Sequence, residues 1–193
     1  ILPSFKRNGY NFIYTGTLKD DYCAVEIIEC FENLYKTNKN ISLTIIYGKI
    51  YRKPDEFTVK IEALLKKHEK GNNGIKIYKE LSKKDVDKYT RDCDFGISWR
   101  KPIMDESLEI STKLLEYASM GKPMILNKNR VNLSIFGDKY PYYANSKDEF
   151  ICVMKKIILD DELYQNTSKQ IYELSKKFNY ESVYNSFYHD LTF

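Results

Sequence analysis

The sequence predicts an α/β fold: a Rossmann-like, doubly wound parallel sheet of about six strands flanked by helices. Three observations predict it. Short runs of apolar and β-branched residues alternate with segments of helical period from residue 11 to residue 126. Gly16, Gly48, Gly74 and Gly121 stand at the breaks between these segments. From about residue 147 to the end the pattern is helical without further strands. Alternation of this kind builds βαβ units whose crossovers are right-handed.

The elements follow in order. Residues 11–15 read as an apolar strand stopped by Gly16. Residues 23–37 carry Val25, Ile27, Ile28, Phe31, Leu34 and Tyr35 at helical spacing. Residues 42–47 are a β-branched strand ending at Gly48, and residues 57–70 a helix closed by Gly71-Asn72-Asn73-Gly74. A third strand covers 75–78. A polar helix covers 82–92, with Ser82 and Asp85 at its N-cap and N3 positions. Residues 95–98 are the fourth strand. After a loop over 99–110 come a short helix opening at Ser111-Thr112, a stop at Gly121 and a fifth strand at 123–126. A weak sixth strand is expected at 142–144. Helices are expected at 147–159, about 162–177 and about 180–191. No repeat, low-complexity tract or linker divides the chain, so residues 1–193 form one domain.

Composition narrows the function. Hydrophobic residues make up 42% and charged residues 30%, a globular balance. Lys and Arg number 31 against 27 Asp and Glu, a net charge of +4 that is too mild and too interleaved for nucleic acid. It suits an anionic small ligand, or loose peripheral contact with an anionic membrane face. No stretch approaches the roughly 20 apolar residues of a membrane span. The 17 tyrosines and 10 phenylalanines are scattered, without a basic stripe, and read as packing rather than base stacking. Cys23, Cys30, Cys93 and Cys152 form no Cys-x-x-Cys pair and read as reduced, buried thiols of a cytoplasmic protein. His68, within a Lys/Glu run, reads as solvated and inert, and His189 as a surface or packing residue. Asp92 and Asp94 imitate an Asp-x-Asp metal motif but fall between a helix end and a strand start, where turn and cap roles fit better. No other cluster has metal-ligand spacing, and no metal is expected.

The most informative run is Ser111-Thr112-Lys113-Leu114-Leu115-Glu116-Tyr117-Ala118-Ser119-Met120-Gly121-Lys122-Pro123. The helix opens with two hydroxyls and a lysine, and a helix N-terminus with free N–H groups suits a phosphate. Thr112, Lys113 and Glu116 share a face by i+3 and i+4 spacing, and Leu114, Leu115 and Ala118 form an apolar face for the sheet. One short helix can thus hold a diphosphate at its tip and a diol one turn in, the outline of a nucleotide-sugar site. In a 3-2-1-4-5-6 sheet, strands one and four meet at the switch point where ligands bind. That topology brings the turn Gly16-Thr17-Leu18-Lys19 and the loop containing Arg100 and Lys101 to the tip of the helix at Lys113. Gly16 would admit a phosphate to the backbone; Lys19, Arg100 and Lys101 could add charge. No Gly-x-Gly-x-x-Gly is present, so a nicotinamide or flavin fingerprint is missing.

These segments together resemble the C-terminal, donor-binding half of GT-B-fold glycosyltransferases, of the retaining group known as family four or group 1. The resemblance runs from Tyr14-Thr15-Gly16-Thr17-Leu18 through 43–48 and 82–97 to the Lys113 block, and on to Lys177-Phe178-Asn179-Tyr180-Glu181. It implies a role for Glu116 on the ribose hydroxyls. It places Ser111, Thr112 and Lys113, with Gly16 and Thr17, around the diphosphate, and residues 78–81 near the base. Two departures stand out: Thr17 and Tyr22 occupy places where many members carry arginine and lysine, a gap that Arg100, Lys101, Lys19 or Lys113 could fill. Leu108 stands where many carry a sugar-contacting acid, with Glu106 and Glu109 as its neighbours. The resemblance implies transfer of a hexose from a nucleotide-diphospho-sugar, UDP foremost, with retention and without metal or other cofactor. It also implies a bacterial polysaccharide or lipid-linked acceptor, held by an N-terminal domain that this chain lacks, so that the fragment alone would turn over little. A nucleotide-sugar epimerase of the same fold, and a non-catalytic α/β domain with a vestigial site, are the alternatives.

Overall fold

A computed structural model describes residues 5–7, 9–51, 55–71 and 73–182. Five strands pair in parallel in the order β3-β2-β1-β4-β5. They are β1 (Tyr10–Leu18), β2 (Ile41–Ile50), β3 (Ile75–Lys79), β4 (Phe95–Ser98) and β5 (Met124–Leu126). The expected sixth strand is reduced to one bridge between Tyr143 and Leu126. Pro141 supplies no N–H on one side of it, and on the other Ser146 already caps the next helix by accepting from Glu149 N at 3.2 Å.

The helices are α1 (Ala24–Tyr35), α2 (Glu56–His68), α3 (Lys83–Asp92), α4 (Thr112–Ser119), α5 (Arg130–Phe136), α6 (Lys147–Leu159) and α7 (Asp161–Ser175). Ser82 caps α3 as expected, accepting from Asp85 N. The helix α5 was not anticipated; Asn129 caps it, accepting from Asn132 N at 2.9 Å, and Gly137 ends it at φ 77°. Of the expected terminal helix, residues 180–182 are helical, and 183–191 with His189 lie outside the described residues.

Right-handed crossovers and the reversal of strand order at β1/β4 put α1 and α2 on one face and α3 and α4 on the other. α1 packs on α2 and α6, and α4 packs on α7. Between the layers Phe12, Ile13, Leu43, Phe95 and Ile125 are fully buried, with Phe12 stacked on Phe95 at 5.6 Å. Asp94 is also buried; its Oδ2 accepts from Asn11 N and Nδ2 at 3.0 and 2.9 Å, while Ser42 Oγ donates to Asn11 Oδ1 at 2.7 Å. These bonds tie β2, β1 and β4 together at their N-terminal ends. Asp94 is therefore a strand clamp, and Asp92 is exposed.

Four expectations change. Gly16 does not open a loop: β1 runs on to Leu18, and its register with β2 slips between Gly16 and Leu18 in a bulge. Pairing beyond the bulge carries β2 past Gly48 to Ile50. His68 is not solvated but fully buried, with Nε2 at 2.6 Å from Glu32 Oε1 of α1. Its lysine and glutamate neighbours face out while position 68 faces α1. Cys23, Cys30 and Cys93 are buried free thiols, whereas Cys152 is exposed. No described helix is long and apolar enough to cross a membrane.

Candidate functional site

At the C-terminal ends of the strands a groove of about 260 Å³ opens between α3 and α4. Gly16 of β1, Tyr47 and Gly48 of β2, and Glu80 and Leu81 after β3 line one side; Thr112, Lys113 and Glu116 of α4 line the other. The groove lies where the strand order reverses, the place at which open α/β sheets bind ligands.

α4 is fixed by its apolar face. Leu114, Tyr117 and Ala118 are buried. The Tyr117 ring lies against Gly96 of β4, where a Cβ would stand only 2.5 Å from its Cδ2. Its hydroxyl shares a 2.9 Å hydrogen bond with Thr15 Oγ1 of β1. The helix tip is thus held over the ends of β1 and β4. The Ser111 hydroxyl makes no capping bond there, which leaves first-turn N–H groups of α4 open.

Lys113 lies against Gly16. A Cβ on Gly16 would meet Lys113 Nζ at 2.6 Å, and φ at Gly16 is +139°. Burial, and next the charge of Arg100, push the lysine below its ordinary pKa. Arg100 carries its guanidinium carbon 5.0 Å from the Tyr22 ring centroid. Lys113 and Arg100 share a small cavity with Ser111 and Tyr22 beside the groove. Among the described residues neither cation is paired with a carboxylate.

Glu116 sits one turn further along α4. Its Oε1 accepts from Lys83 Nζ at 2.9 Å, and the same ammonium is 3.1 Å from Asp87 Oδ1. The hydrogen bonds to Glu116 and then Asp87 raise the Lys83 pKa. Lys83 had no sequence signal, because its contact with Glu116 depends on how α3 and α4 meet across the sheet.

The structure therefore brings Gly16, Thr112, Lys113 and Glu116 into one groove, with Arg100 and Ser111 next to it. Other candidates are engaged elsewhere. Lys101 pairs with Asp20 at 2.5 Å and Glu26 at 3.5 Å, in a separate groove of about 380 Å³ along α1 and α2. Lys19 pairs with Asp21. Thr17 offers its carbonyl to the Tyr14 hydroxyl at 2.6 Å. Glu109 lines a third cavity with Arg100, Ser107, Ser111, Asn127 and Asn129, while Glu106 is exposed and lines none of these. Leu108 is exposed as well. Sequence reading also missed Asn127, Asn129 and Asn132, a run of amides after β5 that fastens the loop carrying Arg100. Their clustering just past a strand end was the available signal.

In chemical terms the groove offers the unpaired Lys113 and a helix N-terminus at one end, with Arg100 in the adjoining cavity, and a carboxylate one turn away. The first set suits a di-anion, the second a pair of hydroxyl donors. No cluster of three or more metal-ligating side chains occurs among the described residues.

No protein-family model matches the chain, and no curated protein sequence matches it significantly. Solved structures do match. The GtfA/B complex superposes with a TM-score of 0.71 at 16% identity, over 98% of this chain and 37% of that one. Staphylococcus aureus TarM, solved with UDP, fondaparinux and α-GlcNAc-glycerol, gives 0.72 at 12% identity over 98% and 36%. The C-terminal domain of LpcC, a glycosyl transferase group 1 family protein of Francisella tularensis, gives 0.68 at 17% over 93% and 89%. The chain thus shares the fold of one Rossmann-like half of these proteins, and spans little more than a third of the first two.

Proposed function

We propose that this chain is the donor-binding domain of a glycosyltransferase that uses a nucleotide-diphospho-sugar, with UDP the foremost nucleotide. The observation that carries the reading is the pairing of Lys113 and Glu116 in one groove. The unpaired ammonium lies against Gly16 at the tip of α4, and the carboxylate stands one turn further in. The first would bind the diphosphate with Arg100 and the open N–H groups of α4. The second would accept the ribose hydroxyls, leaving the cleft by Leu81 and Val86 for the base. Two of the structural matches support the reading: TarM was solved with UDP, and the LpcC match is to a domain of nearly the same extent.

Chemistry at this site would rest on stabilising the departing nucleoside diphosphate. As the sugar bond breaks, negative charge grows on the leaving diphosphate, and pre-placed cations and N–H dipoles stabilise it without reorganising. This needs no metal. A retaining transfer, with Glu109 at the sugar, fits the same arrangement. The acceptor would be held by a second domain, so the chain alone binds donor but transfers little sugar.

Calorimetric titration with UDP, GDP and ADP, on the wild type and Glu116→Ala, tests the reading. Selective binding of one nucleotide, weakened about tenfold or more in the variant, is expected from losing charge-assisted hydrogen bonds. Absence of binding by all three, with Glu116→Ala indistinguishable from wild type, would leave a domain with a vestigial site.

A further inference from the structure

Arg100 belongs to a loop, yet its backbone is held as tightly as a strand. The β4–β5 ladder ends at the pair Ser98 and Leu126. One residue beyond, the side chain of Asn127 takes over: its Oδ1 accepts from Arg100 N at 2.7 Å and its Nδ2 donates to Arg100 O at 2.6 Å. An amide can make both bonds at once because it presents the same donor and acceptor as a peptide group. Asn127 is itself 1% exposed. Its own carbonyl accepts from Asn132 Nδ2 at 2.9 Å, and Asn132 is in turn set by the cap of α5. Arg100 is thus fixed to the rigid end of β5, and its guanidinium rests on Tyr22 beside Lys113.

We infer that Asn127 is a positioning residue that acts through Arg100 to place the guanidinium at the diphosphate. The inference rests on the donor-binding reading above. Two like charges beside each other are costly in the empty site, so Arg100 has every reason to swing away unless its backbone is held. A two-point amide clip restrains the backbone directly, and the Tyr22 ring then restrains the side chain. Loss of the clip leaves the residue present but mobile, and a mobile arginine gives little of the benefit of a pre-placed one.

The test compares wild type, Asn127→Ala, Asn127→Asp, Arg100→Ala and the Arg100→Ala/Asn127→Ala double variant, each first checked for a cooperative thermal transition. Every protein is titrated with UDP, GDP and ADP and with the corresponding nucleosides. Asn127→Ala is expected to weaken nucleoside diphosphate binding about tenfold and leave nucleoside binding unchanged. Its effect should vanish in the Arg100→Ala background. Asn127→Asp keeps the acceptor for Arg100 N but sets a buried carboxylate oxygen against Arg100 O, so it should bind nucleoside diphosphate no more tightly than Asn127→Ala. An equal loss for nucleoside and diphosphate, or an effect that simply adds to Arg100→Ala, would make Asn127 a structural residue and overturn the inference. If wild type binds none of the nucleotides, the donor reading fails first and the inference with it; if wild type binds and Asn127→Ala binds equally, the inference alone fails.

Discussion

Gly16→Ala probes the site and the fold with one methyl group. Gly16 lies at φ +139°, in a region that residues with a Cβ scarcely occupy, and the new Cβ would stand 2.6 Å from Lys113 Nζ and 2.7 Å from its Cε. The backbone term costs about 1–3 kcal/mol. For a domain of this size each kcal/mol lowers Tm by about 2–4 °C, so a drop of about 2–12 °C is expected. The contact term is different in kind. A lysine end is flexible and can move aside, so it adds little to the stability cost, but the ammonium then leaves the end of β1. Loss of a charge-assisted hydrogen bond of about 1.5–3 kcal/mol weakens nucleoside diphosphate binding by about 10- to 150-fold. Differential scanning calorimetry reads the first effect and isothermal titration the second. Gly48→Ala supplies the stability control, since nothing lies within 4 Å of a Cβ there and its φ is not positive. A Gly16→Ala protein with the wild-type Tm and wild-type affinity would refute both the bulged conformation at Gly16 and the seat of Lys113 upon it.

Further outcomes follow from the same geometry. Gly96→Ala places a Cβ 2.5 Å from the buried Tyr117 ring, whose hydroxyl is held by Thr15, so neither partner can yield easily; chemical denaturation should show a loss of about 1–3 kcal/mol. Lys113→Met should stabilise the empty protein at neutral pH while weakening diphosphate binding. Burial and Arg100 lower the folded-state pKa of Lys113 below its ordinary value of 10.5, so the folded protein holds the proton less firmly than the unfolded chain. That penalty is fully present below the lowered pKa and fades as pH rises toward 10.5. The stability gap between variant and wild type should therefore narrow across that alkaline window in urea titrations, and a gap that widens there would contradict the assignment. Asp94→Ala leaves Asn11 N and Nδ2 without their acceptor at a buried strand junction, and should cost about 1–3 kcal/mol in the same titrations with little change in ligand affinity.

Much of the sheet was legible because its signals are local. Residues 95–98, with Phe95 and Ile97 alternating, lie between a helix end and a charged loop, and the strand falls there. Ser82 and Asp85 announced the start of α3 by spacing alone. What sequence could not reveal depends on partners far along the chain. Gly16 looked like a strand terminator, because a glycine after an apolar run usually is one; the pairing of Leu18 with Ile50 beyond it needs β2 to run past its own glycine. His68 looked solvated among Lys66, Lys67 and Glu69, and only the packing of α2 on α1 turns it toward Glu32. At the site, Thr112, Lys113 and Glu116 were legible as one helical face. Among the four cations it offered the sequence could not choose: Lys19 and Lys101 are neutralised by Asp21 and Asp20, and Lys113 and Arg100 alone of these are left without an acid.

That selection has a thermodynamic consequence. A protein gains nothing in its empty state from two adjacent cations without counter-ions, and the pKa of Lys113 is depressed by burial first and by the charge of Arg100 second. Lys101 and Lys83 show that carboxylates are available on neighbouring elements to neutralise a lysine here. The pair beside Gly16 is held charged and open by devices of its own: Gly16 admits Lys113, Tyr22 carries Arg100, and Asn127 fixes the backbone behind it. A di-anion bound between them replaces repulsion with two charge-assisted contacts, so ligand affinity and fold stability are coupled. The gain in stability grows as RT ln(1 + [L]/Kd), about 2.7 kcal/mol at a hundredfold excess over Kd. In Lys113→Met the empty protein starts from a higher Tm but shows a smaller rise on adding nucleoside diphosphate. A rise equal to that of the wild type at matched ligand concentration would mean that the anion binds elsewhere.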